Sequence, residues 1–161
     1  AETKFRFGAR LSARLATDSR AEAVLPSEPW LRTTDLGMFV DDQLYVTGRI
    51  ADMLTIDGVN RYPQEIEATA ADASTIVRRG YVAAFTTPDG LVIVAERAPG
   101  SGRSDPQSAS DAIREAVMRR DGLSVKDIRL LPAGAIPRTT SGKLARQACR
   151  TDYLAGELRA R

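Results

Sequence analysis

The sequence contains no histidine and a single cysteine, Cys149, among its 161 residues. Without histidine, a Ser-His-Asp triad is excluded and the commonest metal-binding side chain is missing, so we expect no metal site formed by this chain. One cysteine cannot form a disulfide within the chain and fits a reducing compartment, so we expect a cytoplasmic protein. With no histidine to activate its thiol, Cys149 is predicted to be a small packed side chain and not a nucleophile.

Long apolar runs are missing as well. No stretch provides the roughly 20 consecutive apolar residues that span a bilayer, and the first residues lack the apolar core of a secretory signal. The formal net charge of +2 gives no argument for a nucleic-acid partner. The basic excess is local, since six basic residues stand against two acidic ones from Arg138 onward. Such a tail is usually a solvated helical face and less often an anion site.

The residues that are present indicate a folded chain in two parts. Hydrophobic residues make up 43% and charged residues 27%, which is typical of globular proteins. Near Arg49 the pattern changes from strands to alternating helices and strands, so we predict domains at 1–49 and 50–161. The first part is predicted to contain, in order, a weak edge strand at 5–11, a loop at 14–28, a short strand at 30–33, and a hairpin with strands at 38–40 and 44–47.

The second part carries clear helix and turn signals. The turn Asp57-Gly58 predicts a hairpin, and Pro63 suits the first turn of a helix. Ser104 or Asp105 can cap a further helix, which Gly122 ends. The other predicted elements are a hairpin of central strands at 81–85 and 91–95, a short strand at 128–131, a helix at 141–149 and a second short helix at 152–158. The sum is a small α+β domain with one sheet covered by helices.

A glycine-lysine pair stands near the C-terminus, in the segment IPRTTSGKL at 136–144. We predict Lys143 at the mouth of a helix, as a mobile cation among hydroxyl and amide donors that suits a phosphate or carboxylate. The segment is not a Walker loop, because Pro137 stands where that motif needs its first glycine and Leu144 follows the lysine. On this segment alone, a solvated lysine beside a helix N-cap is the simpler interpretation.

Four segments in a fixed order carry a family resemblance: WLRTTDLG at 30–37, LYVTGRIAD at 44–52, DGVNRYPQEIE at 57–67 and TSGK at 140–143. Together they resemble the C-terminal third of the adenylate-forming superfamily. That superfamily includes acyl-CoA synthetases, fatty acyl-AMP ligases and the adenylation domains of peptide synthetases. The amino-acid sequence at 60–69 and 137–143 most resembles that of the fatty acyl-AMP ligases of mycobacteria, including the type that serves mycobactin assembly.

The resemblance implies an enzyme that converts a fatty acid and ATP to an acyl adenylate and pyrophosphate. The acyl group would then pass to an acyl carrier protein of a polyketide or peptide synthase, or to coenzyme A. Magnesium is expected with ATP, bound mainly outside this chain. Residues 1–49 would be the end of a large N-terminal adenylation domain and residues 50–161 a mobile lid, so we expect that the chain alone cannot adenylate.

The resemblance also implies roles for individual residues. Asp35 would bind the ribose hydroxyls of ATP, which a carboxylate can accept, and Arg49 would lie near the ribose and phosphate. Lys143 would bridge the carboxylate and the α-phosphate during adenylation. The supporting residues are Thr140, Ser141 and Gly142 in the lysine segment and Ala51 and Asp52 at the hinge between the domains.

Several of these residues keep a simpler alternative. Asp35 could be a turn residue that bonds its own backbone, and Asp52 could pair with a nearby basic side chain and do nothing else. Glu65 and Glu67 are interpreted as a solvated first turn favoured by the helix dipole.

The sequence also departs from the family at four positions. Thr34 occupies the place of the glycine in a Thr-Gly-Asp motif. Ala51 stands where relatives carry the Asp or Lys of the hinge, so a charge that could favour one domain orientation is missing. Val59 and Arg61 replace the Arg and His expected in acyl-AMP ligases.

Three functions therefore remain open on the sequence. The chain could belong to a fatty acyl-AMP ligase or to an acyl-CoA synthetase. It could instead be a standalone basic module that binds an anionic partner through its C-terminal helix, with salt-sensitive affinity.

Overall fold

The computed structural model of the protein describes residue 29 and residues 31–158. The chain divides into two compact units, Ala1–Ile50 and Ala51–Arg161, which are described separately below as unit 1 and unit 2. The strand predicted at 5–11 and the loop predicted at 14–28 lie outside the described residues. The assignment of the first part to a larger adenylation domain stays a prediction.

The described part of unit 1, from residue 31 onward, contains an antiparallel hairpin. Strand β1 spans Asp35–Val40 and strand β2 spans Gln43–Arg49. Asp41 and Asp42 have positive φ angles of 50° and 60°, which is the conformation of a two-residue type I′ turn. The predicted hairpin is confirmed. The short strand predicted at 30–33 is wrong over 31–33, where the chain has no regular structure because the left-handed Thr34, with φ of 66°, redirects it just before β1.

Unit 2 contains the remaining elements. A 3-10 turn, Ile50–Asp52, starts at the last residue of unit 1 and precedes a small hairpin of β3, Leu54–Ile56, and β4, Val59–Arg61. A second 3-10 turn spans Ser101–Arg103. The predicted turn Asp57-Gly58 joins these strands, with φ of 51° and 76°. The later elements are α1, Pro63–Asp72; β5, Val77–Thr87; β6, Gly90–Arg97; α2, Pro106–Asp121; β7, Val125–Leu131; and α3, Arg146–Leu154. No helix among the described residues is long and apolar enough to cross a membrane.

Strands β5, β6 and β7 form one sheet in that order. Strand β6 is antiparallel to β5 and parallel to β7, and α2 lies within the connection that a parallel pair requires. The predicted hairpin is therefore confirmed, but only β6 is central, whereas β5 lies at an edge. Strand β7 begins at Val125, three residues before the predicted start, because Val125 and the polar Asp127 already pair with Leu91 and Val92 of β6, and Lys126 is an extra residue between them.

Both faces of the sheet are covered by helices. Side chains of β6 alternate between two buried clusters, with Ile93 on the face of α1 and α2 and Val94 on the face of α3. The buried side chains that the helices provide include Ile66, Ile113 and Val117 in the first cluster and Cys149 in the second. Burying each of these isoleucine and valine side chains stabilises the fold by about 1.5–3 kcal/mol. The α+β class with a helix-covered sheet is confirmed, in a three-layer arrangement.

The caps of α2 agree with the sequence signals. Asp105 is the N-cap, and its carboxylate accepts from the backbone N–H groups of Gln107 and Ser108 at 2.9 and 3.3 Å. Gly122 ends the helix in the left-handed conformation and donates to the Met118 carbonyl. Of the two predicted caps, Asp105 is therefore the one used.

The C-terminal helix differs from its prediction at both ends. It begins at Arg146 and not near residue 141, because the segment 138–144 closes on itself as a loop. It continues to Leu154, so the separate helix predicted at 152–158 is wrong. A turn with the left-handed Gly156 follows instead.

Candidate functional site

The lysine segment forms a closed loop, defined here as residues 138–144 and called the lysine loop. Arg138 and Leu144 pair as an antiparallel bridge at its base. Within it, the N–H of Thr139 donates to the Lys143 carbonyl and the N–H of Gly142 donates to the Thr139 carbonyl, both at 2.8 Å. Gly142 has φ of 75°, which only glycine adopts without strain, so its lack of a side chain permits the tight turn.

The hydroxyls of the loop hold its own backbone. The Thr139 hydroxyl accepts from the N–H of Lys143 at 3.1 Å and lies 3.0 Å from the Ser141 hydroxyl. Thr140 lies exposed at the tip. Lys143 is also exposed, and two residues separate it from the start of α3. Lys143 therefore precedes the N-cap, Ala145, by two residues, whereas the prediction that the helix starts near residue 141 is wrong. Lys143 is a compact cation on a flexible stem, carried by a backbone that is internally hydrogen-bonded.

A second group of charged residues lies at the start of α3. The guanidinium of Arg146 donates twice to the carboxylate of Glu67, at 2.6 and 2.7 Å, and once to Asp52 at 3.4 Å. Glu67 also accepts from the backbone N–H of Ala84 in β5 at 3.0 Å. These three charged residues are called the acid–arginine cluster. The hydrogen bonds to Glu67 raise the pKa of Arg146 above its ordinary value, which keeps the guanidinium charged at every relevant pH.

The acid–arginine cluster corrects two predictions. The side chains of Glu67 and Arg146 are only 11% and 14% exposed, so Glu67 is not part of a solvated first turn. Glu67 is largely buried because α3 packs against this face of α1, which would contact water if α1 were isolated. In the basic tail, the helical Arg146 and Arg150 likewise do not form a solvated face, since Arg150 donates to the Thr86 carbonyl at 2.8 Å. Arg159 and Arg161 lie outside the described residues.

The predicted hinge residues contact α3. The side-chain amide of Gln147 donates to the Ala51 carbonyl at 3.2 Å, and Asp52 is paired with Arg146. The alternative that Asp52 pairs with a basic side chain is thus what the structure shows. A hinge role for Ala51 and Asp52 stays a prediction.

In unit 1 the structure brings Asp35 and Arg49 together. The two residues lie opposite each other in the register of β1 and β2, and Arg49 Nε is 3.1 Å from Asp35 Oδ1. The Arg49 side chain is 67% exposed and that of Asp35 is 35% exposed, so the ion pair contributes at most about 1 kcal/mol to stability. The ion pair orients Asp35, because the guanidinium of Arg49 lies against its carboxylate at the surface. Binding of ribose by Asp35 stays a prediction.

The candidate residues thus fall into two sets, Asp35 with Arg49 in unit 1 and the lysine loop with Asp52 in unit 2. Sequence reasoning missed the pairing of Glu67 with Arg146, which stand 79 positions apart and carry no local signal. Within the described part of the chain, no group of three or more His, Cys, Asp or Glu residues lies close enough together to hold a metal ion.

Comparison with known proteins gives the context of these residues. No family model matches the chain. It is 45% identical over 166 residues to the long-chain-fatty-acid–AMP ligase FadD32 of Mycolicibacterium smegmatis, covering 88% of this chain and 26% of that protein. It is 37% identical to the putative fatty-acid–CoA ligase FadD21 of Mycobacterium tuberculosis, covering 94% of this chain and 26% of that protein. The chain belongs to the adenylate-forming enzymes and matches their C-terminal part.

The fold agrees with this assignment to the adenylate-forming enzymes. A solved structure from work on the fatty acyl-adenylate ligases of E. coli and L. pneumophila superposes with a TM-score of 0.69 and 33% identity. The match covers 80% of this chain and 23% of that one. The resemblance recognised in the sequence motifs is therefore confirmed, and the chain spans about a quarter of the length of the relatives it matches.

Proposed function

We propose that this chain supplies the catalytic lysine of a fatty acyl-AMP ligase. The observation that carries the proposal is Lys143, exposed on an internally bonded loop of a domain whose relatives are named fatty-acid–AMP ligases. The substrates would be a fatty acid and ATP, with Mg²⁺ carried on the ATP phosphates. The acyl group would then pass to an acyl carrier protein of a polyketide or peptide synthase.

The chemistry needs a cation at the place where Lys143 would act. A carboxylate oxygen attacks the α-phosphorus, a new O–P bond forms, and the bond to the pyrophosphate leaving group breaks. Two anions approach during this step, so a fixed ammonium that donates to both lowers the barrier. Lys143 would act protonated, as a charge-assisted donor and not as a base. By analogy with the loss of one oxyanion donor, its removal would raise the adenylation barrier by about 3 kcal/mol.

Asp35 and Arg49 would serve the nucleotide. A carboxylate oriented by a neighbouring guanidinium can accept hydrogen bonds from two ribose hydroxyls. The 3.1 Å ion pair supports this proposal, because it fixes Asp35 on the strand end without burying it. Arg49, on the adjacent strand, would remain available to the ribose and phosphate.

A chimaera tests the role of Lys143. The chain would replace the matching segment of the M. smegmatis AMP ligase, and fatty-acid-dependent ATP–pyrophosphate exchange would be measured. Lys143→Ala should reduce exchange by about 100-fold or more. Lys126→Ala is the matched control, because Lys126 is also exposed but lies on β7 outside the loop, and it should change the rate less than twofold. Full exchange activity in the Lys143→Ala chimaera would refute the proposal.

We also propose that the isolated chain does not adenylate, because it spans only a quarter of its relatives. Mass-spectrometric detection of acyl-AMP after incubating the purified 161-residue chain with ATP, Mg²⁺ and fatty acid would contradict this.

The acyl acceptor has a second candidate, coenzyme A, because one relative is named a putative fatty-acid–CoA ligase. The acceptor should be tested on an enzyme that carries this chain together with its own large domain, offered coenzyme A and holo carrier protein in separate reactions. Thioester formed only on the carrier protein supports the AMP ligase, and acyl-CoA formed at comparable rate supports the alternative.

The standalone basic module receives no support from the structure. Its C-terminal helix would need free basic side chains, but Arg146 is paired with Glu67 and Arg150 donates to the Thr86 carbonyl. Both cations are already used within unit 2.

A further inference from the structure

Strand β5 contains a four-residue bulge. Val77 pairs with Arg97 and Val82 pairs with Ala95, so residues 78–81 stand opposite the single residue Glu96 of β6. Gly80, inside the bulge, has φ of 75°. Bulges of this kind redirect side chains and backbone groups away from the ladder, and they occur frequently beside functional sites.

The carboxylate of Glu96 joins this bulge to the segment that enters the lysine loop. Glu96 is fully buried, and it accepts from Arg78 at 2.8 Å and from the backbone N–H of Ile136 at 3.1 Å. A buried charge is tolerated only when it is paired and hydrogen-bonded. Glu96 therefore fixes both Arg78 and Ile136, two residues before the loop begins.

The ring of Tyr81 extends this contact to the loop itself. The guanidinium of Arg78 lies 3.5 Å from the ring centroid and that of Arg138 lies 3.9 Å from it. Two cations cannot occupy the same place over one ring face, so the ring is sandwiched between them. Each stacking contact is a cation–π interaction.

Arg138 completes the connection with its two-pronged donor. One nitrogen donates to the Gly80 carbonyl of the bulge at 2.6 Å, and the other donates to the Gly142 carbonyl at 2.5 Å. The Gly142 carbonyl belongs to the peptide unit that also contains the Lys143 nitrogen. The guanidinium thus links the peptide before the lysine to the edge of the sheet.

We propose that the β5 bulge holds the lysine loop, with Arg138 and Tyr81 as positioning residues that set the place of Lys143 for adenylation. This inference rests on the proposed role of Lys143. Arg138 is exposed, so its loss should leave the fold intact and act locally on the loop. Displacing a catalytic lysine by about 1 Å can slow the reaction by up to 100-fold, so loss of these positioning contacts should have a measurable effect on adenylation.

Amide hydrogen exchange on the 161-residue chain tests the structural half of the proposal. Arg138→Met and Tyr81→Leu should accelerate exchange of the Thr139 and Gly142 amides by about tenfold, because a lost charge-assisted hydrogen bond or stacking face frees the loop. Tyr81→Phe keeps the ring and should retain wild-type exchange. Arg138→Lys keeps the positive charge but cannot donate to two carbonyls at once as a guanidinium does, so it should retain less than half of the wild-type protection of these amides from exchange.

Arg79→Gln is the matched control for the structural half of the proposal. Arg79 lies in the same bulge, is 78% exposed and forms a surface ion pair with Asp72. We expect its loss to leave both the melting temperature and the exchange of the loop amides unchanged.

Kinetics in the chimaera test the functional half. Arg138→Met and Tyr81→Leu should lower kcat for adenylation by about ten- to 100-fold with little change in KM for ATP. Transfer of the acyl group from preformed acyl adenylate should keep its rate. Combining Arg138→Met with Lys143→Ala should be no slower than Lys143→Ala alone, since the holder acts only through the lysine.

The outcomes separate this inference from the function on which it rests. Wild-type exchange of the loop amides in Arg138→Met, or an equal loss of adenylation and transfer together with a lower melting temperature, would overturn the positioning role. Normal adenylation by Lys143→Ala would overturn the proposed function and, with it, the catalytic purpose of the holder. If Lys143→Ala lowers adenylation but Arg138→Met is fully active, the positioning role is refuted and the proposed function of Lys143 is retained.

Discussion

Replacing Arg146 by methionine should destabilise unit 2 strongly. Glu67 would lose its hydrogen bonds at 2.6 and 2.7 Å and keep the one from the Ala84 N–H, while its side chain remains only 11% exposed. Removing one partner of a buried ion pair costs about 3–5 kcal/mol, and partial exposure places this pair near 3 kcal/mol. For a domain of roughly 100 residues, each kcal/mol lowers the melting temperature by about 4–8 °C, so we expect a fall of about 12 °C or more.

Urea unfolding and calorimetry would measure this loss, and a second variant separates its cause. Glu67→Met combined with Arg146→Met removes both charges, so it should recover much of the stability that Arg146→Met loses. Asp52→Asn should cost less than about 1 kcal/mol, because its contact with Arg146 is 3.4 Å long and its side chain is 26% exposed. The reasoning fails if Arg146→Met costs under about 1 kcal/mol, or if the double variant is less stable than the single one.

Three further predictions concern other parts of the chain. Thr34→Gly should stabilise unit 1 by about 0.5–1 kcal/mol, because glycine adopts the left-handed backbone conformation without strain. Hydrogen exchange of the Ile50 amide, which donates to the Thr34 carbonyl, should then become slower than in the wild type; faster exchange would contradict the prediction. Burial opposes ionisation of Asp127, but hydrogen bonds from Tyr153 and Arg129 outweigh it and hold the pKa of its carboxyl below the ordinary value. Asp127→Asn should therefore cost stability in urea unfolding at neutral pH, and the two proteins should converge as the pH falls below about 4 through the folded-state pKa; a constant difference would refute this. Burial raises the pKa of the Cys149 thiol to about 12, so it should react with Ellman's reagent at pH 8 only after unfolding, and rapid reaction of the folded protein would disprove its burial.

The features that sequence reasoning predicted well are those set by a few neighbouring residues. The turn Asp57-Gly58, the helix start at Pro63 and the end of α2 at Gly122 each depend on backbone conformations that these residue types favour. The continuous apolar run at 91–95 also marked β6 as a buried strand. Such signals are local, so they survive without knowledge of the tertiary fold.

The pairing of Asp35 with Arg49 marks the limit of local reasoning. The two-residue turn at Asp41 and Asp42 alone would place Asp35 opposite Gly48. An irregularity between Leu36 and Gly37 shifts the register by one residue and brings Asp35 opposite Arg49. A one-residue shift changes which side chains meet, and no residue pattern in the hairpin announces it.

The contacts that organise the lysine loop were beyond sequence reasoning for a different reason. Glu67 and Arg146 are far apart in the chain, and the bulge opposite Glu96 depends on strand pairing. The family resemblance identified Lys143 as the candidate cation, but it carried no information on the residues that hold it. Those contacts exist only once α3 and the sheet are assembled.

The attachment of Ala51 and Asp52 to α3 determines where a shortened version of unit 2 can start. A polypeptide beginning at Met53 would lose the carbonyl that Gln147 binds and the carboxylate that Arg146 reaches. One beginning at Ile50 would keep both. A truncation or fusion boundary for unit 2 should therefore lie on the N-terminal side of Ala51, although the first strand of this unit begins only at Leu54.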